Sequence, residues 1–127
     1  MPRRSLSLPG FSHANPIPVA AVIDRVLATG MITGRDPGTH EMPPDLATQV
    51  HHVFGHVRAV LEAAGGGPED LLRMTVHLAD PTDRVALNEE WTAMFPDPDD
   101  RPARMVLPAA TGSPTLVFCD LLAVLPG

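Results

Sequence analysis

Hydrophobic residues recur at intervals of three and four between residues 45 and 64, the spacing that places side chains on one face of an α-helix. The run Gly65-Gly66-Gly67-Pro68 follows and stops a helix. The apolar stripe consists of Leu46, Val50, Val53, Phe54, Val57, Val60, Leu61 and Ala64. The polar positions outside the stripe are Gln49, His52, His56 and Arg58. The pattern predicts a helix that buries one wide apolar face.

A second helix is predicted from Asp80 to the residue before Pro96. Asp80 can cap this helix, Pro81 suits the first helical position, and Asp83 favours the positive end of the helix dipole. The apolar face of the predicted helix consists of Leu87, Trp91, Met94 and Phe95.

Shorter apolar runs predict β-strands. The predicted strands are residues 19–23, 26–29, 71–78, 105–107 and 116–125. The first two are split by Asp24-Arg25, which indicates a hairpin that ends at Gly30. The third alternates between apolar and polar positions, as a strand with one buried face does.

The order of these elements, strand-strand-helix-strand-helix-strand-strand, favours one α+β domain over residues 1–127 with both helices on one face of a sheet. The other face should also be covered, because the last strand is nearly all apolar, and a subunit interface is the simplest cover. Residues 1–17 contain Pro2, Pro9 and Pro16 and predict an extended, frayed N-terminal arm.

The composition excludes several classes of chemistry. The nine basic residues are all arginine, and the chain has neither lysine nor tyrosine. A lysine Schiff base, a phosphate-loop lysine and tyrosine acid–base catalysis are therefore impossible. The net charge of −6 argues against a nucleic-acid partner, because such partners bind basic surfaces.

The apolar pattern does not suggest a membrane partner or secretion. No apolar run reaches the roughly 18 residues that span a bilayer, and Met1–Leu6 lacks the hydrophobic run of a signal peptide. The single cysteine, Cys119, excludes an internal disulfide and a thiolate cage for a metal. We therefore expect a cytoplasmic protein.

The histidines and the cysteine favour structural roles. His52 and His56 have the spacing of a helical zinc pair, but Val53 stands where that motif has its glutamate, and no third ligand is placed. With His51 they form a solvated or interface group, and no metal or other cofactor is expected. Cys119 lies in the most apolar strand, where a small buried hydrophobe is the usual role and a nucleophile would need an open, electropositive setting.

Arg104 is the strongest candidate for ligand binding. It follows Pro102-Ala103 and opens an apolar strand, where a charge is costly unless it is paired. A guanidinium in such a place binds a carboxylate or phosphate through two parallel hydrogen bonds. Its partner is either a ligand or one of the fifteen acidic residues of the chain, in a structural ion pair.

An ordered set of short segments resembles the RidA family, also called the YjgF or L-PSP endoribonuclease family. The matching segments are Ala28-Thr29-Gly30, Gln49 with 61–65, Met74 to Asp80, Asn88 with Trp91 and Phe95, Pro102-Ala103-Arg104 and the last apolar strand. The resemblance covers residues 16–125 without a large insertion.

The resemblance implies a chorismate-mutase-like α+β fold and a homotrimer with clefts between subunits. In active members an arginine at the position of Arg104 binds the substrate carboxylate, and backbone amides near Gly30 and Val106 assist. Water then hydrolyses a reactive enamine or imine to a ketoacid and ammonia. A glutamate on the last strand is thought to position or activate that water.

The chain departs from the family pattern in two places. Asn15-Pro16-Ile17 stands where the family has Pro-Tyr-Ser, and the glutamate is missing. Phe118 takes its position if the end of the strand is aligned, and Cys119 does so if residues are counted forward from Arg104. Asp120, the only carboxylate on the strand, is expected to reach the cleft only after a shift of register.

Three functions follow from these observations. The first is a hydrolase acting on C–N bonds, a deaminase of small carboxylate-bearing enamines or imines such as 2-aminoacrylate, with Arg104 binding the carboxylate. The alternative is a member that binds a small, aromatic or apolar carboxylate between subunits without hydrolysis, since Phe118 or Cys119 would make the cleft drier. Ribonuclease activity is the least supported, because the chain is acidic and has no lysine.

Overall fold

A computed structural model describes residues 2–8, 16–110 and 113–127. Within these residues, seven strands form one mixed sheet, with two α-helices and a short 3₁₀ turn at Pro68–Asp70. The strands are β1 Arg3–Leu6, β2 Ala20–Ile23, β3 Val26–Thr29, β4 Ile32–Thr33, β5 Leu71–Leu78, β6 Ala103–Pro108 and β7 Val117–Val124. The helices are α1 Leu46–Ala63 and α2 Val85–Met94.

The sheet has the order β1-β2-β3-β7-β5-β6, and β4 pairs with β7 beyond the end of β3. Only β5 and β6 run parallel. The α+β class, the hairpin of β2 and β3, the first helix and the central strand β5 are confirmed. None of the helices in the described ranges is long and apolar enough to cross a membrane.

The N-terminal arm is only partly as expected. Residues 9–15 lie outside the described residues, whereas Arg3–Leu6 form β1 and pair antiparallel with β2. The expectation of a frayed arm is therefore wrong for β1. The pairing joins segments that are about fifteen residues apart in sequence, so a local sequence pattern does not predict it.

The second helix begins later than its sequence signals predict. The carboxylate of Asp80 accepts hydrogen bonds from the amide and the hydroxyl of Thr82, at 3.0 and 2.6 Å. These bonds close a turn of the kind that competes with a helical start. The helix consequently begins at Val85, after Arg84.

Helix α1 buries more than its apolar stripe. Gln49 is fully buried and His56 is 8% exposed, although both lie off the predicted stripe. The amide of Gln49 donates to the carbonyls of Pro43 and Pro114 and accepts from the Leu116 amide, at 2.7–2.9 Å. The side chain therefore joins the segment before α1 to the segment that leads into β7.

The two faces of the sheet differ. Met74 and Val76 of β5, with Cys119 and Leu121 of β7, are buried on the side that the helices cover. We call the other side the open face; along the central strands it carries Thr75, His77, Phe118, Asp120 and Leu122. Apolar side chains on the open face that are exposed by 37–49% are Ile23, Val26, Met105, Leu107 and Val124.

Candidate functional site

Arg104 lies on the helix-covered side of the sheet. It pairs with Met74 of β5, whose side chain is fully buried there. The guanidinium carbon of Arg104 is 4.9 Å from the centroid of the Trp91 ring, within the range of a cation–π contact. Trp91 is itself only 8% exposed and meets Phe95 edge to face at 4.8 Å. A rigid aromatic platform on α2 therefore orients the charged group.

Arg104 keeps part of its hydrogen-bonding capacity unused. Its Nη1 atom is buried, and no hydrogen-bond partner for it occurs among residues 2–8, 16–110 and 113–127. The ion pairs found in those ranges involve His51, His52 and His77 and do not include Arg104. The structural ion pair that the sequence left open is therefore not formed within the described part of the chain. A buried donor of this kind costs about 1–3 kcal/mol until it is satisfied.

A second arginine strengthens the positive potential at this place. Burial lowers the pKa of Arg104, and the positive charge of Arg84 lowers it further. Arg84 precedes α2, is exposed, and donates its Nε hydrogen to the carbonyl of Pro81 at 2.8 Å. Arg104 remains charged, because a guanidinium does not lose its proton in proteins. The two cations, one before α2 and one beside Trp91 of that helix, favour an anion near them.

Val106 and Gly30 occupy different parts of the fold. Val106 lies on the edge strand β6, two residues after Arg104, and packs half-buried against the core. Gly30 is exposed in the link between β3 and β4, and its amide donates to the carbonyl of Val19 at 3.0 Å. That amide is therefore already hydrogen-bonded within the chain, and a ligand near Gly30 would have to bind a neighbouring group instead.

The two candidates for the glutamate position face opposite sides of β7. Phe118 is half-buried on the open face, whereas Cys119 is completely buried on the helix-covered side. Burial raises the pKa of the Cys119 thiol, and the charge of Asp120 adds to that effect. The expectation that Cys119 contacts a ligand is therefore corrected: this side chain belongs to the core.

Asp120 shares the open face with Phe118, two residues along the strand. The register of β7 against β4 and β5 is regular from Val117 to Leu121. Asp120 therefore lies on the face of Phe118 without a shift of register, because residues two apart on a strand point the same way. Its access to a cleft between subunits stays a prediction.

His77 has a partner that the sequence did not reveal. Its ring stacks on Phe118 with centroids 4.4 Å apart and planes 9° from parallel. Its Nε2 atom is 3.8 Å from Oδ2 of Asp120. The antiparallel pairing of β5 with β7 places His77 opposite Phe118, and that pairing is the signal that sequence reasoning lacked.

The three histidines of α1 have separate partners. His51 Nδ1 lies 2.7 Å from Oε1 of Glu90, and His52 Nε2 lies 3.8 Å from Oδ2 of Asp36. His56 contacts the carbonyl of Arg35 at 2.7 Å. Across the described ranges, no three histidine, cysteine or acidic side chains are grouped so that they could hold a metal ion.

The candidate residues form two groups on opposite sides of one sheet. Arg104 lies on the helix-covered side, whereas Phe118, Asp120 and His77 lie on the open face. A small molecule bound to Arg104 can therefore reach the second group only if another copy of the chain supplies it.

Comparison with protein families adds to this geometry. Residues 15–118 match the family model described as endoribonuclease L-PSP. A RutC family protein of Pyrococcus horikoshii is 34% identical over 73 residues, which are 57% of this chain and 56% of that protein. A 2-iminobutanoate/2-iminopropanoate deaminase of Escherichia coli is 35% identical over 60 residues, 47% of either chain. The chain thus spans about half the length of these curated relatives.

Solved structures match nearly the whole chain. RidA from an Antarctic Psychrobacter is 25% identical with a TM-score of 0.85, and the match covers 96% of this chain and all of that one. The YjgF gene product of Escherichia coli is 23% identical with a TM-score of 0.84, and the match covers 95% and 98% of the two chains. The mixed sheet with two helices is the fold of these proteins.

Proposed function

Because the chain belongs to the endoribonuclease L-PSP family, which includes RidA and YjgF, we propose that it is a hydrolytic deaminase of small carboxylate-bearing enamines and imines. Its substrates resemble 2-aminoacrylate, and the products are a ketoacid and ammonia. The similarity of half of the chain to a 2-iminobutanoate/2-iminopropanoate deaminase supports this substrate class.

The proposal rests on the contacts of the Arg104 guanidinium. Its guanidinium is held against Trp91, is not ion-paired within the described ranges, and has a buried Nη1 without a hydrogen-bond partner there. A substrate carboxylate supplies hydrogen-bond acceptors to the partly exposed side chain of Arg104 and the negative charge that Arg104 and Arg84 favour. The group is oriented before the ligand arrives, so little side-chain entropy is lost on binding.

The complete site lies between subunits of a homotrimer in this proposal. Two features support an assembly. The open face carries five apolar side chains that are substantially exposed in the single chain, and the candidate residues are divided between the two sides of the sheet. Packing the open face against another copy would cover the exposed apolar side chains and bring the two groups of candidate residues together.

The alternative function is binding of a small carboxylate without hydrolysis. Phe118 favours it, because an aromatic ring stands where the family resemblance expects the glutamate. An aromatic acid would then stack beside Phe118 while its carboxylate binds Arg104. The two functions share Arg104 and differ in turnover.

The proposal is tested with freshly generated 2-iminopropanoate, by comparing ketoacid formation with and without the protein. We expect the protein to accelerate the reaction above its spontaneous rate. Arg104→Ala should abolish the acceleration and weaken ketoacid binding by about 1.5–3 kcal/mol, the usual value of a hydrogen bond to a charged group. Arg104→Lys should not restore it, because an ammonium cannot make the planar two-bond contact.

Arg58→Ala is the matched control, since Arg58 is an exposed arginine on α1. It should leave both turnover and binding unchanged. Ketoacid binding that depends on Arg104 without turnover would favour the alternative function. Turnover and binding that are the same in Arg104→Ala and in the unaltered protein would reject both.

A further inference from the structure

The open face contains one pair of acid–base side chains that the carboxylate-binding group does not use. His77 and Asp120 lie on neighbouring strands, with Nε2 and Oδ2 3.8 Å apart. Their side chains are 23% and 42% exposed, so both are open to solvent. The ring of His77 is held flat against Phe118, which fixes the plane of the imidazole.

The separation of the two groups suits a shared water molecule. A distance of 3.8 Å is too long for a direct hydrogen bond. One water molecule, however, can lie about 2.8 Å from both atoms and hydrogen bond to each. A water held in this way touches a base on one side and a carboxylate on the other.

We propose that His77 and Asp120 hold and activate the water that hydrolyses the enamine or imine. This inference rests on the proposed deaminase function, and it assigns the water-handling role to a histidine–aspartate pair on the open face. Arg104 of a neighbouring copy would hold the substrate carboxylate against this pair.

The chemistry balances with water as the only co-reactant. As the water oxygen bonds to the imine carbon, one water proton passes to His77, and the electron pair of the C=N bond moves to nitrogen, which takes that proton from His77. In the resulting carbinolamine the hydroxyl proton passes through His77 to the amino nitrogen. The C–N bond then breaks with its electron pair on nitrogen, ammonia leaves, and the oxygen becomes the ketone of the product. An enamine enters the same sequence after its terminal carbon gains a proton and its nitrogen loses one, which converts it to the imine.

The strands around His77 offer Asp120 as its acidic neighbour for the activation of water. Arg73, further along β5, is the other charged residue of the central open face, and it lies beyond Thr75. Strand β6 presents Met105 and Leu107 to this side, and β4 presents Thr33. Among the described residues, Asp120 is therefore the acidic group on the strands that flank His77.

The test measures steady-state turnover of 2-iminopropanoate by the unaltered protein, His77→Gln and Asp120→Asn. General-base help is typically worth 10²–10⁴-fold, so we expect His77→Gln to lower kcat by at least about 100-fold. Asp120→Asn should lower it by a smaller factor. KM and ketoacid binding should change little in either variant, because Arg104 is intact.

His51→Gln is the matched control, because His51 also pairs with a carboxylate, Glu90, but lies on α1. It should leave kcat unchanged. The division of the effect between kcat and KM adds a second readout. Loss of the group that activates water should lower kcat and leave KM unchanged, whereas a distorted site would change both.

The outcomes separate this inference from the function on which it rests. If His77→Gln and Asp120→Asn keep full turnover while Arg104→Ala loses it, the pair has no role in catalysis and the deaminase function stands. If the unaltered protein does not accelerate hydrolysis, both proposals fail. If His77→Gln does not fold, as judged by circular dichroism, Asp120→Asn decides, and full turnover by Asp120→Asn would overturn the pair.

Discussion

The guanidinium of Arg104 lies over the indole of Trp91, with its central carbon 4.9 Å from the ring centroid. The contact joins the edge strand β6 to helix α2, and it stabilises a partly buried cation that the described part of the chain does not pair with a carboxylate. A cation–π contact contributes about 0.5–2 kcal/mol, depending on how far it is desolvated. A cation–π contact of this strength does not neutralise the charge as an ion pair would, so the guanidinium remains available to a ligand.

Replacing Trp91, the aromatic platform for Arg104, should weaken ligand binding although the charge of Arg104 is kept. Trp91→Leu keeps an apolar side chain in the core but lacks the ring face, so Arg104 should lose its orientation. We expect ketoacid affinity to fall by about 0.5–2 kcal/mol in a calorimetric titration. Trp91→Phe retains an aromatic ring and should recover part of the loss. Equal affinity in Trp91→Leu and the unaltered protein would mean that the ring does not orient the arginine.

Arg84 should contribute to affinity through its charge alone. It lowers the pKa of Arg104 but is exposed, so its effect on an anionic ligand is screened by salt. Arg84→Ala should weaken ketoacid binding at low ionic strength by at most about fivefold, the range of exposed ion pairs. The difference should shrink in 1 M salt, and Arg84→Lys should bind like the unaltered protein. A salt-independent loss in both variants would indicate a direct, geometric contact instead.

The adjacent positions 118 and 119 should respond differently to a new carboxylate. Phe118→Glu places an acid on the open face and should cost little stability, but it removes the ring that holds His77 and should therefore lower turnover of 2-iminopropanoate. Cys119→Glu forces an unpaired charge into the core and should lower the free energy of unfolding by about 3–5 kcal/mol. The measurements are initial rates and urea unfolding of both variants. A stable Cys119→Glu with a strongly destabilised Phe118→Glu would show that β7 has the other register.

The assembly should be visible in solution. Burial of the apolar open face predicts a trimer of about 40 kDa, three times the 13.5 kDa chain mass. Met105→Glu places a charge on that face and should shift the population toward monomer, since an unpaired carboxylate is costly at an apolar interface. Val85→Glu is the control, because Val85 is 68% exposed at the start of α2. Sedimentation velocity at micromolar concentration measures both. A stable monomer of the unaltered chain would remove the shared cleft.

Local patterns predicted the elements whose stabilising contacts are local. Helix α1 follows from its apolar spacing, and its start is fixed by hydrogen bonds from Thr48 to Asp45 only three residues away. The start of α2 was misplaced because the same kind of carboxylate, that of Asp80, bonds to Thr82 instead and closes a turn. Two competing local bonds are available to such a residue, and composition does not choose between them.

Predicting the site required information that the sequence pattern does not contain. Arg104 was identified from its charge in an apolar strand, but its contact with Trp91 depends on how β6 and α2 pack. Likewise, the pair of His77 and Asp120 depends on the register of β5 against β7, and a shift by one residue would put the two side chains on opposite faces. Residue types pointed to the chemistry, whereas register and packing decided which residues meet.

Gln49 shows how the core holds the start of β7, and with it the positions of Phe118 and Asp120. Its fully buried amide bonds to two carbonyls and one backbone amide, and two of these groups belong to Pro114 and Leu116. Gln49→Met has nearly the same shape but cannot make any of the three hydrogen bonds. We expect it to lower the free energy of unfolding by about 2 kcal/mol, because the backbone groups lose their partners.

Urea unfolding should show a lower midpoint with an unchanged slope, the sign that stability has changed and the exposed surface has not. Glu62→Met is the matched control, since Glu62 is exposed on the same helix, and it should stay within about 0.5 kcal/mol of the unaltered protein. Turnover by Gln49→Met should also fall at temperatures where the variant is still folded, because the segment that leads to Phe118 loses its anchor. Full stability of Gln49→Met would mean that solvent or the neighbouring backbone replaces all three bonds, and that the position of β7 is set by its strand pairing with β3, β4 and β5.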